Sequence, residues 1–171
     1  MLDSGIAEGS TVLLSDLETL IDKSEKQGAE TKAFELMAIA PHSKAGLRRK
    51  LLQRKFGASA VEHAIERMLE HEYLDDNAFA EQWLESRIRR HPEGRFALLA
   101  GLLRKGIAHT TAEECLGRLV SAAVEREMAD RFLEKLTAGK SLTLIQICKK
   151  LSGRGFSPAV IRQIRADRQP Y

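Results

Sequence analysis

The 171-residue chain carries 27 basic and 24 acidic side chains, a formal net charge of +3, and only 5% of its residues are aromatic. Leu, Ala, Glu, Arg and Lys dominate and β-branched runs are nearly absent, a composition that argues against sheet-based folds and for an all-α one. No apolar run is long enough to span a membrane, the N-terminus lacks a basic-then-apolar leader pattern, and Cys115 and Cys148 sit inside helical patterns. Together these point to a cytoplasmic chain with reduced thiols rather than a disulfide scaffold.

Residues 11–14, "TVLL", could pair as a short strand. "SDLETLIDKSE" then has the form of a helix, with Ser15 as N-cap and Glu18 as its capping-box partner. The polar stretch "KSEKQGAET" containing Gly28 reads as a linker or a frayed helix end. From Lys32 the chain falls into triplets of helices. Phe34, Leu36, Met37 and Ile39 mark a short apolar helix that Pro41 stops. Ser43 caps a second helix running to about Lys55, and Gly57 separates it from a third bearing Val61, Ile65, Met68 and Leu69.

The second triplet opens at Asp75 or Asp76 as N-cap, with Phe79, Ala80, Trp83, Leu84 and Ile88 forming an apolar stripe. "HPEGR" breaks the chain before a helix ending at Lys105–Gly106, and Thr110 or Thr111 caps the next. The third triplet starts near Ser121 with Val124, Met128, Phe132 and Leu136, and Ala138–Gly139 ends its first helix. A second helix covers "SLTLIQICKKLSGRGF", and the last has Ser157 as cap and Pro158 at its first position.

A short pattern recurs through these triplets at spacings of 51 and then 49 residues. It aligns Leu47/Leu98/Ile147, Leu51/Leu102/Leu151, the basic Arg54/Lys105/Arg154 and the closing apolar Phe56/Ile107/Phe156. An apolar i, i+4 pair, a cation and a turn form the end of an amphipathic helix. Three copies in register predict a tandem array, an architecture suited to binding something long. The expected organisation is an acidic segment with one helix at 1–31 and three-helix repeats at 32–74, 75–120 and 121–171, forming an elongated, curved all-α array. Residues 1–46 hold 4 basic and 8 acidic side chains, 47–107 hold 12 and 9, and 108–171 hold 11 and 7. The array is therefore basic, which favours a polyanionic or acidic partner.

"HSKAGLRRKLLQRKF", "EYLDDNAFAEQWLESRIRR", "GLLRKGI" and the terminal "KKLSGRGF" resemble the RecX family of recombination regulators over about residues 32–167. Family members often carry arginines just before the capping serine, where this chain has Ala40, Pro41 and His42. The resemblance implies a protein of three-helix repeats with no catalytic site. Its implied partner is the RecA recombinase filament on single-stranded DNA, whose growth, ATP hydrolysis and strand exchange such proteins limit. DNA itself is a second candidate partner; no cofactor, membrane or small-molecule substrate is implied.

The cations available for such a partner are Arg48, Arg49, Lys50, Arg54 and Lys55 on one helix, Arg87, Arg89, Arg90 and Arg95 around the "HPEGR" break, and Arg104, Lys105, Lys149, Lys150 and Arg154. Arginine matters most where it meets carboxylates or phosphates bidentately. Arg54, Lys105 and Arg154 also sit in last helical turns, where a cation stabilises the helix dipole by about 0.3–1 kcal/mol, so they divide between scaffold and contact. Arg48, Arg49 and Lys50 lie mid-helix and favour contact. Capping explains Asp75–Asp76, and Trp83, spaced from Phe79 along one helix face, belongs to a core. No metal-ligand spacing, phosphate loop or nucleophile motif is present, so a non-enzymatic binding protein is expected. The competing class is a basic DNA-binding protein of helix-turn-helix type without a recombinase partner.

Overall fold

The computed structural model describes residues 14–138 and 142–168. They form nine helices and no strand: α1 (Leu14–Ile39), α2 (Lys44–Gln53), α3 (Ala58–Glu70), α4 (Asp76–Arg90), α5 (Arg95–Arg104), α6 (His109–Leu119), α7 (Ala122–Thr137), α8 (Leu144–Gly153) and α9 (Pro158–Asp167). In each successive triplet the first helix packs against the third: α1 on α3, α4 on α6, α7 on α9. The candidate strand at 11–14 lies outside the described residues except for Leu14, which opens α1. Among the described residues no helix is long and apolar enough to cross a membrane.

The repeated positions carry the cores. Leu47, Leu98 and Ile147 are buried, as are Leu51, Leu102 and Leu151. The same spacing extends to the leading helices, where Ala29, Ala80 and Ala129 are each 0% exposed. Small residues there let the first helix of a triplet approach the third closely.

Contacts divide the chain into two units, one holding α1 with Leu47–Tyr73, the other Pro41–Gly46 with everything from Leu74 onward. In the first, Ala29, Ala33 and Leu36 of α1 are buried together with Val61, Ala64, Ile65 and Met68 of α3. The stretch read as a linker or a frayed helix end, residues 23–31, is helical throughout, so α1 is one helix of 26 residues. A glycine inside a helix costs about 1 kcal/mol, but burial of Ala29 and Ala33 offsets it. Two further ties hold α1 to α3: the Gly57 N–H donates to Glu25 Oε1 at 2.6 Å, and Glu30 lies 3.6 Å from Arg67. Ser15 is consequently an interior residue rather than a cap, and the helix ends at Ile39, just ahead of Pro41.

In the second unit the core joins Leu84, Leu98, Leu102, Leu116, Met128, Leu133, Leu151 and Ile164, with Trp83 partly buried against it. Corners built on glycine let helices meet here. Gly106 and Gly155 have φ of 82° and 81°, and added Cβ atoms would lie 2.2 Å from Ala45 Cβ and 2.5 Å from Ala97 N. Only glycine takes this backbone shape and this crowding without strain. The first turn of α2 thus rests on the α5–α6 corner, and that of α5 on the α8–α9 corner. Ser43 Oγ donates to the Lys105 carbonyl at 2.6 Å, and the Gly94 N–H donates to the Arg154 carbonyl at 3.1 Å.

Candidate binding surface

Helix ends decide which charged residues remain available. Ser43 caps α2, accepting from the Gly46 N–H at 3.0 Å, and Ser157 caps α9, accepting from the Val160 N–H at 3.4 Å. At α4 the cap is Asp75, which accepts from the amides of Asn77 and Ala78. Asp76 instead accepts from the Lys44 N–H at 2.8 Å, neutralising the first turn of another helix. For α6, neither Thr110 nor Thr111 caps: the helix starts at His109 behind Ala108, with no side-chain cap.

Glu125 repeats the role of Asp76 one triplet later, in a drier place. It is 4% exposed; its Oε1 accepts from the amides of Arg95 at 3.0 Å and Ser157 at 2.8 Å, and its Oε2 accepts from Ser157 Oγ at 2.8 Å. One carboxylate therefore serves the N-termini of both α5 and α9, where the helix dipoles favour negative charge. Glu25, Asp76 and Glu125 share the 51- and 49-residue spacing, a signal for this acid–amide device that could have been read directly from the sequence.

Several predicted site cations are bound internally. Arg48 makes a two-pronged pair with Glu62, Nε and Nη2 each 2.6 Å from a carboxylate oxygen, and this hydrogen bonding raises its pKa. Arg87 and Arg154 converge on the buried Glu93, at 2.9 and 3.3 Å. Arg87 also lies 5.3 Å from the Trp83 ring centroid, leaving its Nε buried without a hydrogen-bond partner. Trp83 in turn packs against Gly101, where an added Cβ would sit 2.3 Å from Cη2. Arg95 pairs with Glu113 at 2.7 Å and donates to the Leu116 carbonyl at 3.3 Å. Arg54 donates to the Lys50 carbonyl at 3.0 Å, the last-turn role expected of it.

Of the predicted site cations, Arg49, Arg54, Lys55, Arg89, Arg90, Arg104, Lys105, Lys149 and Lys150 are exposed and carry no ion pair among the described residues; Lys50 is half-buried. Lys55 holds φ of 68° at the register position of Gly106 and Gly155, a shape costing a side chain about 1 kcal/mol or more. Sequence reasoning passed over Arg162, Arg165 and Arg168 in the α9 region, which are exposed too. Arg162 stands in register with Glu62 and Glu113, so the carboxylate that engages an arginine in the first two triplets is a cation in the third. That reversal was available in the alignment of the repeats.

Residues 75–116 match the family description "RecX, second three-helix domain". The regulatory protein RecX of Pelodictyon phaeoclathratiforme is 38% identical over 133 residues, covering 75% of this chain and 81% of the relative. The chain belongs to the RecX family. The regulatory protein RecX of Treponema pallidum (strain Nichols) is 35% identical over 139 residues, covering 81% of this chain and 84% of its own length. A crystal structure of regulatory protein RecX superposes with a TM-score of 0.81 at 16% identity, covering 96% of this chain and 83% of that one. RecX from Lactobacillus salivarius gives 0.76 at 19% identity, covering 85% and 97%. These two show that the fold is shared. The RecX family is one of regulatory proteins.

Proposed function

We propose that this chain binds the RecA nucleoprotein filament in the cytoplasm and restrains its ATPase activity, filament growth and strand exchange, with the three-helix repeats at 32–74, 75–120 and 121–171 as its contact modules. Membership of the RecX family at 38% identity over 81% of a relative carries this reading. Supporting it is the separation of charges: Glu62, Glu93 and Glu113 pair with the partly exposed Arg48, Arg87, Arg95 and Arg154 within the chain. The exposed cations Arg49, Arg89, Arg90, Arg104, Lys105, Lys149 and Lys150 are left for a partner's carboxylates or phosphates.

The test is a pull-down at near-physiological salt comparing RecA filament on single-stranded DNA, free RecA and bare single-stranded DNA, paired with a RecA ATPase assay. The filament should be retained selectively and its ATPase inhibited. Arg49→Glu should weaken inhibition without altering the fold, since like charge is introduced at an exposed position. Equal retention of bare DNA, lost steeply with salt, would identify a phosphate-binding protein instead.

A further inference from the structure

The first triplet leaves open a position that the other two fill. Residues 28, 79 and 128 are in register; Phe79 packs on the core and Met128 is 1% exposed, whereas the first triplet has Gly28. The closing apolar residues follow suit. Ile107 and Phe156 are each 2% exposed, but Phe56, expected to be equally buried, is only half-buried. Above it lies a groove of about 390 Å³ whose lining includes Ser24, Gln27, Gly28, Thr31 and Phe56. Nothing inside the chain demands glycine there: an added Cβ would meet Phe56 Cε1 at 3.5 Å, an ordinary contact.

The same face of α1 continues toward its N-terminus as Leu14, Leu17 and Ile21, which are 73%, 48% and 59% exposed. Residues 14, 17, 21, 24, 28 and 31 follow the a/d spacing of a coiled-coil seam. Its first half is large and apolar and its second half small. We propose that two copies of this chain pair through α1 in antiparallel fashion, Leu17 of each copy seated in the Gly28 groove of the other. In that register Leu14 faces Thr31, Leu17 faces Gly28 and Ile21 faces Ser24, so every large residue meets a small one. Ser24, Gln27, Gly28 and Thr31 are the four residues that form a hole for a knob on the facing helix. The contact is isologous, with each copy supplying the same knobs and holes. Glu18 of one copy comes toward Lys32 of the other, which already pairs with Glu35 at 2.5 Å in its own chain. Glu25, the acid beside the seam nearest the two-fold axis between residues 22 and 23, is turned away to the Gly57 amide.

A parallel pair would instead stack the large residues on each other and leave both grooves empty. The seam from Leu14 to Thr31 spans roughly 27 Å of helix. It is small beside interfaces of about 1,200–2,000 Å², so the dimer should be weak and concentration-dependent. The pairing concerns α1 alone and does not depend on the recombinase reading.

Sedimentation velocity of the full chain should show the mass rising from monomer toward dimer as concentration increases from roughly 1 to 200 μM, the range expected of a small interface. Leu17→Glu should be monomeric throughout, with the melting temperature that the wild type shows at its lowest, monomeric concentration, because Leu17 is about half exposed in its own chain. Gly28→Leu should also be monomeric, with helix content retained or raised. In a Cys148→Ser background, Ile21→Cys protein mixed with Ser24→Cys protein should form a mixed disulfide, and Ile21→Cys alone should not. Monomeric wild type at every concentration overturns the proposal. So does a dimer indifferent to Leu17→Glu, or a self-linking Ile21→Cys, which marks a parallel pair.

Discussion

Glu125 is the residue whose removal should injure the scaffold most for the fewest atoms lost. Its Oε1 takes two backbone amides, from Arg95 at 3.0 Å and Ser157 at 2.8 Å, and its Oε2 takes Ser157 Oγ at 2.8 Å. Hydrogen bonds to a charged group contribute about 1.5–3 kcal/mol each. The three share one desolvated carboxylate, so their sum overstates the net effect, and breaking such a buried site costs on the order of 3–5 kcal/mol. Glu125→Ala should therefore lower the melting temperature by roughly 6–20 °C, at 2–4 °C per kcal/mol for a chain of this size. Glu125→Gln keeps an oxygen for both amides while losing the charge and forcing Ser157 Oγ to turn and accept. A cost of about 1–2 kcal/mol is expected. Urea unfolding followed by far-UV circular dichroism measures both. A change below about 1 kcal/mol in Glu125→Ala, or equal damage from Gln and Ala, would refute the account of one charged acceptor serving two helix starts.

Leu102 is 0% exposed at the centre of the repeated pattern, and Leu102→Ala should shift the urea midpoint by an amount equivalent to about 2–5 kcal/mol. Asp75→Ala should cost about 0.5–2 kcal/mol through loss of the α4 cap. Asp76→Ala should cost about 1 kcal/mol through the amide of Lys44, visible as lowered hydrogen-exchange protection there and not at Asn77. Burial pushes the Cys115 thiol pKa up, only partly opposed by Arg118, so less thiolate forms at a given pH. Alkylation followed by mass spectrometry should modify the half-buried Cys148 first and reach Cys115 only at higher pH.

Helical periodicity, the proline after α1 and the spacing of Leu51, Leu102 and Leu151 were enough to determine the all-α fold and most helix ends, because they are local or strictly repeated. The capping serines were legible for the same reason: a cap acts within one turn of its own helix. The reach of α1 was not, since its polar middle is helical only through Ala29 and Ala33 buried on α3, a contact made across 30 residues of chain. The basic track was readable as composition but not as chemistry. Whether an arginine is scaffold or surface depends on which carboxylate folding brings to it, and Arg48 and Arg49, neighbours in sequence, part company because only Arg48 reaches Glu62. Phe56 shows the same limit from the apolar side. Its place in the repeat predicts burial, yet the residue that should cover it is Gly28, so the hole exists only once α1 lies across it.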